Sequence, residues 1–253
     1  MHLRSIAAGL AGSVLLVSQA VAAGAPWRLS LVGDAYDGKA WTTGVKIELD
    51  EGWKTYWRMP GESGVPPEFT WKTSVPANIA VQFPAPARYE DASGETVGYK
   101  HEVVLPVTVA AGAATAVDVT LDLFFAVCKD ICIPAKGQAS ISLGPMQHDP
   151  DGIAAVTDAT ALLPRDGVIA ERAEIITDGG KPALRLTLAG TFDDIFVETE
   201  TAAYFRRPDF SPNRREAVLS IDNVKDPVKL SGAVLTLTAT AGQGGLEQRL
   251  TLP

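Results

Sequence analysis

From residue 117 to residue 127 an apolar residue recurs at every second position. Val117, Val119, Leu121, Leu123, Phe125 and Val127 are apolar, and Asp118, Thr120 and Asp122 stand between them. A period of two is the pattern of a strand with one face in a core. This strand runs directly into Cys128, which with Cys132 accounts for all the cysteine in the protein. Beyond them Ala139, Ile141 and Leu143 alternate with Ser140 and Ser142. Parity places Cys128 on the outward face, and the same parity carried back through an unbroken strand places Cys132 there too. Four residues of straight strand would hold the two Cα atoms roughly 13 Å apart at about 3.3 Å per residue, while a disulfide tolerates about 7 Å at most. If the two bond, the chain must turn at Lys129-Asp130-Ile131, as a β-hairpin does.

Such a bond is a weak staple. Closing a loop of about five residues contributes about 2 kcal/mol in the chain-entropy treatment, against about 4.7 for a 100-residue loop. Spacing alone leaves two readings open: a redox pair near the surface, or a modest local clasp on the hairpin.

The N-terminus reads as an export signal. Arg4 supplies the charge, residues Ile6 to Val17 the apolar stretch, and Ala20-Val21-Ala22 the small residues before a cleavage near Ala22/Ala23. No later segment approaches the roughly 18 apolar residues of a membrane span, so a soluble mature chain without a span is expected. Export to the periplasm places thiols where they can be oxidised. Acidic residues outnumber basic ones, 30 to 22, for a formal charge of −8, and loss of Arg4 makes the mature chain one unit more negative. With no basic cluster, this argues against nucleic acid and anionic membrane as partners.

The remaining residues suffice for two modest cores. Alternation marks strands at Trp27–Asp34, through Val45, Ile47 and Leu49, at Trp53–Arg58, Phe69–Trp71, Ile79–Phe83 and Val103–Val109. Pro106 marks the last of these as an edge strand or a bulge. Met59 to Pro67 is a rigid loop, and Arg88 to Glu95 reads as an acidic loop with turn residues. Asp149-Pro150 looks like an N-cap and first helical residue, opening a short helix through Ile153, Val156 and Leu163 that Pro164 stops. Short strands then recur at Leu184–Leu188, Ile195–Val197, Val218–Ile221, Val228–Leu230, Val234–Leu237 and Leu246–Leu252. The expectation is an all-β protein of two β-sandwich domains joined by a short helical segment: a signal over 1–23, a first sandwich over 24–147, a helical linker over 148–165 and a second sandwich over 166–253.

Most catalytic signatures are missing: there is no glycine-rich phosphate loop before a helix, no HExxH and no GxSxG. No cofactor and no dedicated metal site are expected. After the leader only His101 and His148 remain as histidines, neither at ligand spacing from the cysteines.

Several stretches in a fixed order carry a family resemblance: Trp53-Lys54-Thr55-Tyr56-Trp57-Arg58, Val81-Gln82-Phe83-Pro84, Tyr89-Glu90-Asp91, Leu105-Pro106-Val107, and Val127-Cys128-Lys129-Asp130-Ile131-Cys132-Ile133-Pro134. Over about residues 25 to 145 the chain resembles the N-terminal periplasmic domain of DsbD, and more closely the related ScsB proteins. The resemblance implies an immunoglobulin-like sandwich whose two cysteines shuttle between disulfide and dithiol. Electrons would come from a membrane electron-donor domain and pass to thioredoxin-like periplasmic proteins. It implies that Cys132 is attacked by the partner thiol and that Cys128 resolves, with Tyr56, Glu90 and Asp91 beside the disulfide. An ordinary structural role for those three is a core-edge tyrosine and a solvated acidic turn. Two departures are visible: the cysteines are closer together than in the best-known DsbD domain, and Ala92-Ser93-Gly94 does not match its aromatic cap.

Two other classes compete with this reading. Paired thiolates can hold Cu(I), as a copper-tolerance protein would. Alternatively the pair is a structural clasp on an immunoglobulin-like module that binds other proteins without catalysis.

Overall fold

The computed structural model describes residues 24–61, 64–91, 94–145, 149–224, 230–242 and 244–253. The signal expected over residues 1–23 lies outside them. Among the described residues no helix is long and apolar enough to cross a membrane.

The first sandwich packs two antiparallel sheets. One contains β1 (Trp27–Tyr36), β2 (Trp41–Leu49), β5 (Asn78–Val81) and β8 (Glu102–Ala110) in the order β1-β2-β8-β5. The other contains β3 (Lys54–Tyr56), β4 (Glu68–Thr73), β6 (Ala87–Asp91), β7 (Gly94–Lys100), β9 (Val117–Cys128) and β10 (Cys132–Leu143). Its order is β10-β9-β3-β7-β6, with β4 also paired to β9. Val45, Ile47, Leu105 and Val107 of the first sheet meet Val119, Leu121, Leu123 and Phe125 of the second in one buried core. The alternation from Val117 to Val127 is thus the inner face of β9.

Two expectations need correction here. β8 is an interior strand, flanked by β2 and β5, although it contains Pro106. The Pro106 carbonyl accepts from Gln82 N at 2.8 Å, just past the end of β5. In an antiparallel ladder the N–H and C=O of one residue point to the same side. The donor that proline lacks therefore faces the β5 side beyond that strand's last pair, and the β2 ladder is unbroken. The second correction concerns the loop expected over Arg88 to Glu95, whose described residues are strand: Arg88–Asp91 lie in β6 and Gly94–Glu95 in β7, and the two pair from Ala87↔Gly98 to Asp91↔Gly94. Alternating Arg88, Glu90 and Glu95 hid the strands because charged side chains here are held by the second sandwich.

The helix α1 (Pro150–Ala161) ends at Leu162 rather than Leu163. Asp149 caps it, Oδ1 accepting from Gly152 N at 2.9 Å, and Oδ2 accepts from Gly33 N at 2.9 Å. One carboxylate thus fixes both the helix start and its seat on β1. Gly33 has φ 76°, and a Cβ there would lie 3.0 Å from the Gly152 carbonyl oxygen, so no larger residue fits. Val156 and Ala159 then pack on Val104 and Val32 of the first sandwich.

The second sandwich also has two sheets. β11 (Arg165–Asp166), β14 (Asp194–Thr199), β18 (Val234–Ala241) and β19 (Gly244–Thr251) run in the order β11-β19-β18-β14. Facing them are β12 (Ala170–Asp178), β13 (Lys181–Leu188), β15 (Tyr204–Phe205), β16 (Asp209–Phe210) and β17 (Glu216–Asp222), in the order β12-β13-β17-β15 with β16 also on β17. Leu184, Leu186 and Leu219 pack against Ile195, Leu235 and Leu237. The strand expected at Val228–Leu230 falls largely outside the described residues. The protein is all-β with a single helix among the described residues, built as two immunoglobulin-like sandwiches.

The two sandwiches meet over a charged and aromatic seam. The Arg58 guanidinium lies 4.5 Å over the Trp57 ring and bonds Glu198 (2.8 Å) and Glu247 (2.6 Å) of the second sandwich. Arg88, with 4 % of its side chain exposed, bonds Glu95 at 2.5 Å and Asp194 at 2.8 Å, and the Tyr204 hydroxyl donates to Glu95. Burial alone would lower both guanidiniums. The carboxylates outweigh it and hold Arg58 and Arg88 above their ordinary values. Phe196 inserts into the first core, its ring 5.7 Å from Trp57.

Candidate functional site: the cystine at the tip of the β9–β10 hairpin

β9 and β10 are paired through their whole length, from Val117↔Leu143 to Cys128↔Cys132. The chain turns at Lys129-Asp130-Ile131, and Lys129 N donates to Ile131 O across the turn at 3.3 Å. The two cysteines are directly opposed, 4.1 Å apart at Cα, and disulfide-bonded. Their strands had to reverse for this, as the distance argument required.

The sulfurs are not equivalent. Cys128 is fully buried (0 %), whereas Cys132 is exposed. Shared outward parity predicts two accessible sulfurs, so this is a correction. Cys128 does face away from the main core, but that face is covered at this point. It packs with Tyr56 and Ala126, and with Val65 from the loop after β3. Gly64 allows that loop to lie close, since a Cβ there would sit 2.7 Å from Tyr56 Cε1. A parity argument assigns a face; it does not report what a distant loop lays over it.

Tyr56 lies at the disulfide, its hydroxyl 3.0 Å from Cys132 Sγ. β3 brings it there, held to β9 by Thr55 Oγ1 donating to Ala126 O at 2.9 Å. Burial raises the Tyr56 phenol above its ordinary value, partly offset by a hydrogen bond with Thr96, so the hydroxyl is a neutral donor at physiological pH. Glu90 is engaged elsewhere: its Oε1 accepts from Arg207 Nη1 of the second sandwich at 3.0 Å. The side chain of Asp91, with residues Ala92 and Ser93, lies outside the described part. Lys54 begins the same strand as Tyr56. It shares parity with Tyr56 on β3 and stands directly across from Cys128, and that shared parity was the signal available to find it. Around Cys132 the surface is apolar, with Ile131 at 68 % and Ile133 at 38 % exposure.

Among the described residues no three or more of His, Cys, Asp and Glu gather where they could hold a metal; His148 is not among the described residues. Met59 is packed against the first core.

An immunoglobulin-like sandwich here holds a cystine at a hairpin tip with Cys132 exposed and Cys128 buried, the arrangement that thiol:disulfide interchange with a partner needs. Residues 28–142 match the family model for the N-terminal part of the thiol:disulfide interchange protein DsbD, and the first sandwich belongs to that family. No curated protein sequence matches the chain. Among solved structures, the N-terminal periplasmic domain of ScsB from Proteus mirabilis is similar, with a TM-score of 0.66 and 20 % identity. The similarity covers 89 % of this chain and 91 % of that one. At that identity the likeness is one of fold, and its coverage extends well past the first sandwich into the second.

Proposed function

We propose that this chain is a periplasmic electron relay: it accepts electrons from the dithiol of a membrane electron-donor domain and passes them to thioredoxin-like proteins. In that reading residues 24–147 are the redox unit, 148–165 connect, and 166–253 form the second sandwich. The observation that carries it is the asymmetry of the cystine. A thiolate can attack only a sulfur it can reach, and Cys132 is exposed while Cys128 is at 0 %.

In the oxidised protein the donor thiolate attacks Cys132 Sγ. The new S–S bond forms to the donor, the Cys128–Cys132 bond breaks, and its electron pair leaves on Cys128. The donor's second thiol then displaces Cys132, leaving a dithiol here and a disulfide on the donor. In the forward half-reaction the Cys132 thiolate attacks the acceptor's disulfide and Cys128 resolves the mixed species. The Tyr56 hydroxyl, 3.0 Å from Cys132 Sγ, donates to the thiolate whenever Cys132 carries the charge. Since Cys128 lies under Tyr56 and Val65, intermolecular attack on it is blocked while intramolecular attack is not.

Trapping tests these roles. Reduced Cys128→Ala protein, mixed with an oxidised thioredoxin-like protein, should accumulate a mixed disulfide through Cys132. Cys132→Ala should accumulate none. Equal trapping by both variants, or by neither, overturns the assignment.

A further inference from the structure

Asp194, Phe196 and Glu198 alternate along β14 and so share one face of that strand. All three are turned to the first sandwich. Glu198 accepts from Arg58 Nε at 3.0 Å and from Arg58 Nη2 at 2.8 Å. Phe196 sets its ring 5.7 Å from that of Trp57, and Asp194 accepts from Arg88 Nε at 2.8 Å. Glu247 of β19 brings a second carboxylate to Arg58, at 2.6 Å.

The residues gripped in this way adjoin the cystine. Tyr56, Trp57 and Arg58 are consecutive, and Tyr56 places its hydroxyl 3.0 Å from Cys132 Sγ. β3 is three residues long, and its pairing with β9 stops at Thr55, just short of Tyr56. On the other side Tyr56 still pairs with Gly98 of β7, and Trp57 N donates to Val97 O at 2.9 Å. Past that bond the chain is fixed by what Trp57 and Arg58 meet on the second sandwich. Thr96, which also hydrogen-bonds the Tyr56 hydroxyl, is placed alike. It follows Glu95, which Arg88 and the Tyr204 hydroxyl hold. Both supports of the phenol therefore run, within one or two residues of chain, to the seam between the sandwiches.

We propose that the second sandwich is part of the exchange site: through Arg58 it positions Tyr56, and so secures the hydrogen bond that the phenol makes to Cys132. The inference rests on the exchange reading above, in which the Cys132 thiolate attacks the acceptor. Arg58 is suited to this because a guanidinium shared by two carboxylates is fixed in direction as well as distance. A hydrogen bond weakens steeply with misalignment, so a small displacement at the end of β3 weakens the phenol's hold on the sulfur. Arg58 is thus a positioning residue, acting through Tyr56.

The test reads Cys132 alone. In reduced Cys128→Ala protein Cys132 is the sole thiol, and its rate of alkylation by iodoacetamide against pH gives its midpoint. Lys54, across the ladder from position 128, and Lys129 and Asp130 in the turn stay in place throughout. Arg58→Met should raise the midpoint by about half a unit or more, about threefold less thiolate at a pH below it. Glu198→Ala, a change within the second sandwich, should raise it too. Loss of a cation raises a thiol through charge alone, but loss of a carboxylate lowers it, so a rise in both variants comes through position. In a Tyr56→Phe background neither substitution should shift the midpoint further. A midpoint that Glu198→Ala leaves unmoved or lowers, or one that moves as far in the Tyr56→Phe background as outside it, overturns the proposal. The Glu198→Ala comparison decides the matter even if Arg58→Met does not fold. Because no partner takes part, failure here leaves the trapping result standing, and failed trapping with the expected shifts overturns only the exchange reading.

Discussion

At the scale of single residues the site depends on which atoms water and partners can reach. Tyr56 is 4 % exposed yet places its hydroxyl 3.0 Å from Cys132 Sγ. A hydrogen bond to the charged form of a group favours that form, so the phenol lowers the Cys132 thiol. Tyr56→Phe removes one oxygen and leaves the ring packing. The expected result is an intact fold and a Cys132 alkylation midpoint raised by about one to two units, since a hydrogen bond to a charged group is worth about 1.5–3 kcal/mol and one unit is about 1.4 kcal/mol. An unchanged midpoint would show that the hydroxyl serves packing alone. Ile131 and Ile133, both exposed, flank the same sulfur and give an apolar partner surface a place to dock. Replacing both with serine should leave the unfolding midpoint in place and raise the KM for a thioredoxin-like acceptor several-fold. An unaltered KM would remove them from the docking surface.

At the scale of elements, the β9–β10 hairpin is held by its ladder and core face more than by its cystine. Reduction should therefore cost the first sandwich only about 2 kcal/mol and leave a cooperative urea transition. Loss of that transition on reduction would restore the staple reading. The β6–β7 hairpin depends on the other sandwich, because Arg88 links Glu95 and Asp194 with 4 % of its side chain exposed. Removing one member of a buried ionic group strands its partners, at about 3–5 kcal/mol, so Arg88→Met should lower the urea midpoint by a corresponding amount. A shift within the scatter of surface substitutions would mean that water reaches the seam. These elements also show what the sequence could convey. Alternation from Val117 to Val127 placed β9 and forced the turn at Lys129-Asp130-Ile131, and Asp149-Pro150 placed the start of α1. Both signals are local and chemical. The burial of Cys128, the strands hidden in Arg88 to Glu95, and the interior position of β8 depend on contacts between residues far apart in the chain. Parity, composition and a single proline carry no information about those contacts.

At the scale of the whole molecule, four of the five tyrosines are held neutral by burial. Tyr99 is pushed well above its ordinary value, and Tyr56, Tyr89 and Tyr204 are raised, Tyr204 also by its bond to Glu95. The unfolded chain ionises these phenols near pH 10 while the folded chain keeps their protons. The unfolded state then binds fewer protons than the native one, so stability falls as pH rises above about 10. Alkaline titration should show tyrosinate absorbance rising cooperatively with loss of β-sheet circular dichroism; phenols that ionise gradually in an intact fold would contradict this.

The central claim, that the Cys128–Cys132 couple exchanges rather than clasps, is a claim about free energy and is tested most directly by the reduction potential of the intact protein. A relay must lie within reach of both partners, because a mismatch of about 90 mV costs about 4 kcal/mol for two electrons, roughly a thousandfold in equilibrium. Catalytic couples of thioredoxin-like proteins span about −270 to −120 mV, while structural disulfides lie below about −300 mV. With Cys132 exposed at a hairpin tip and only a short loop closed, the account predicts a value inside the catalytic range when free thiols are counted after equilibration in glutathione or dithiothreitol buffers. A value well below about −300 mV would contradict it and leave a two-sandwich protein with a local clasp.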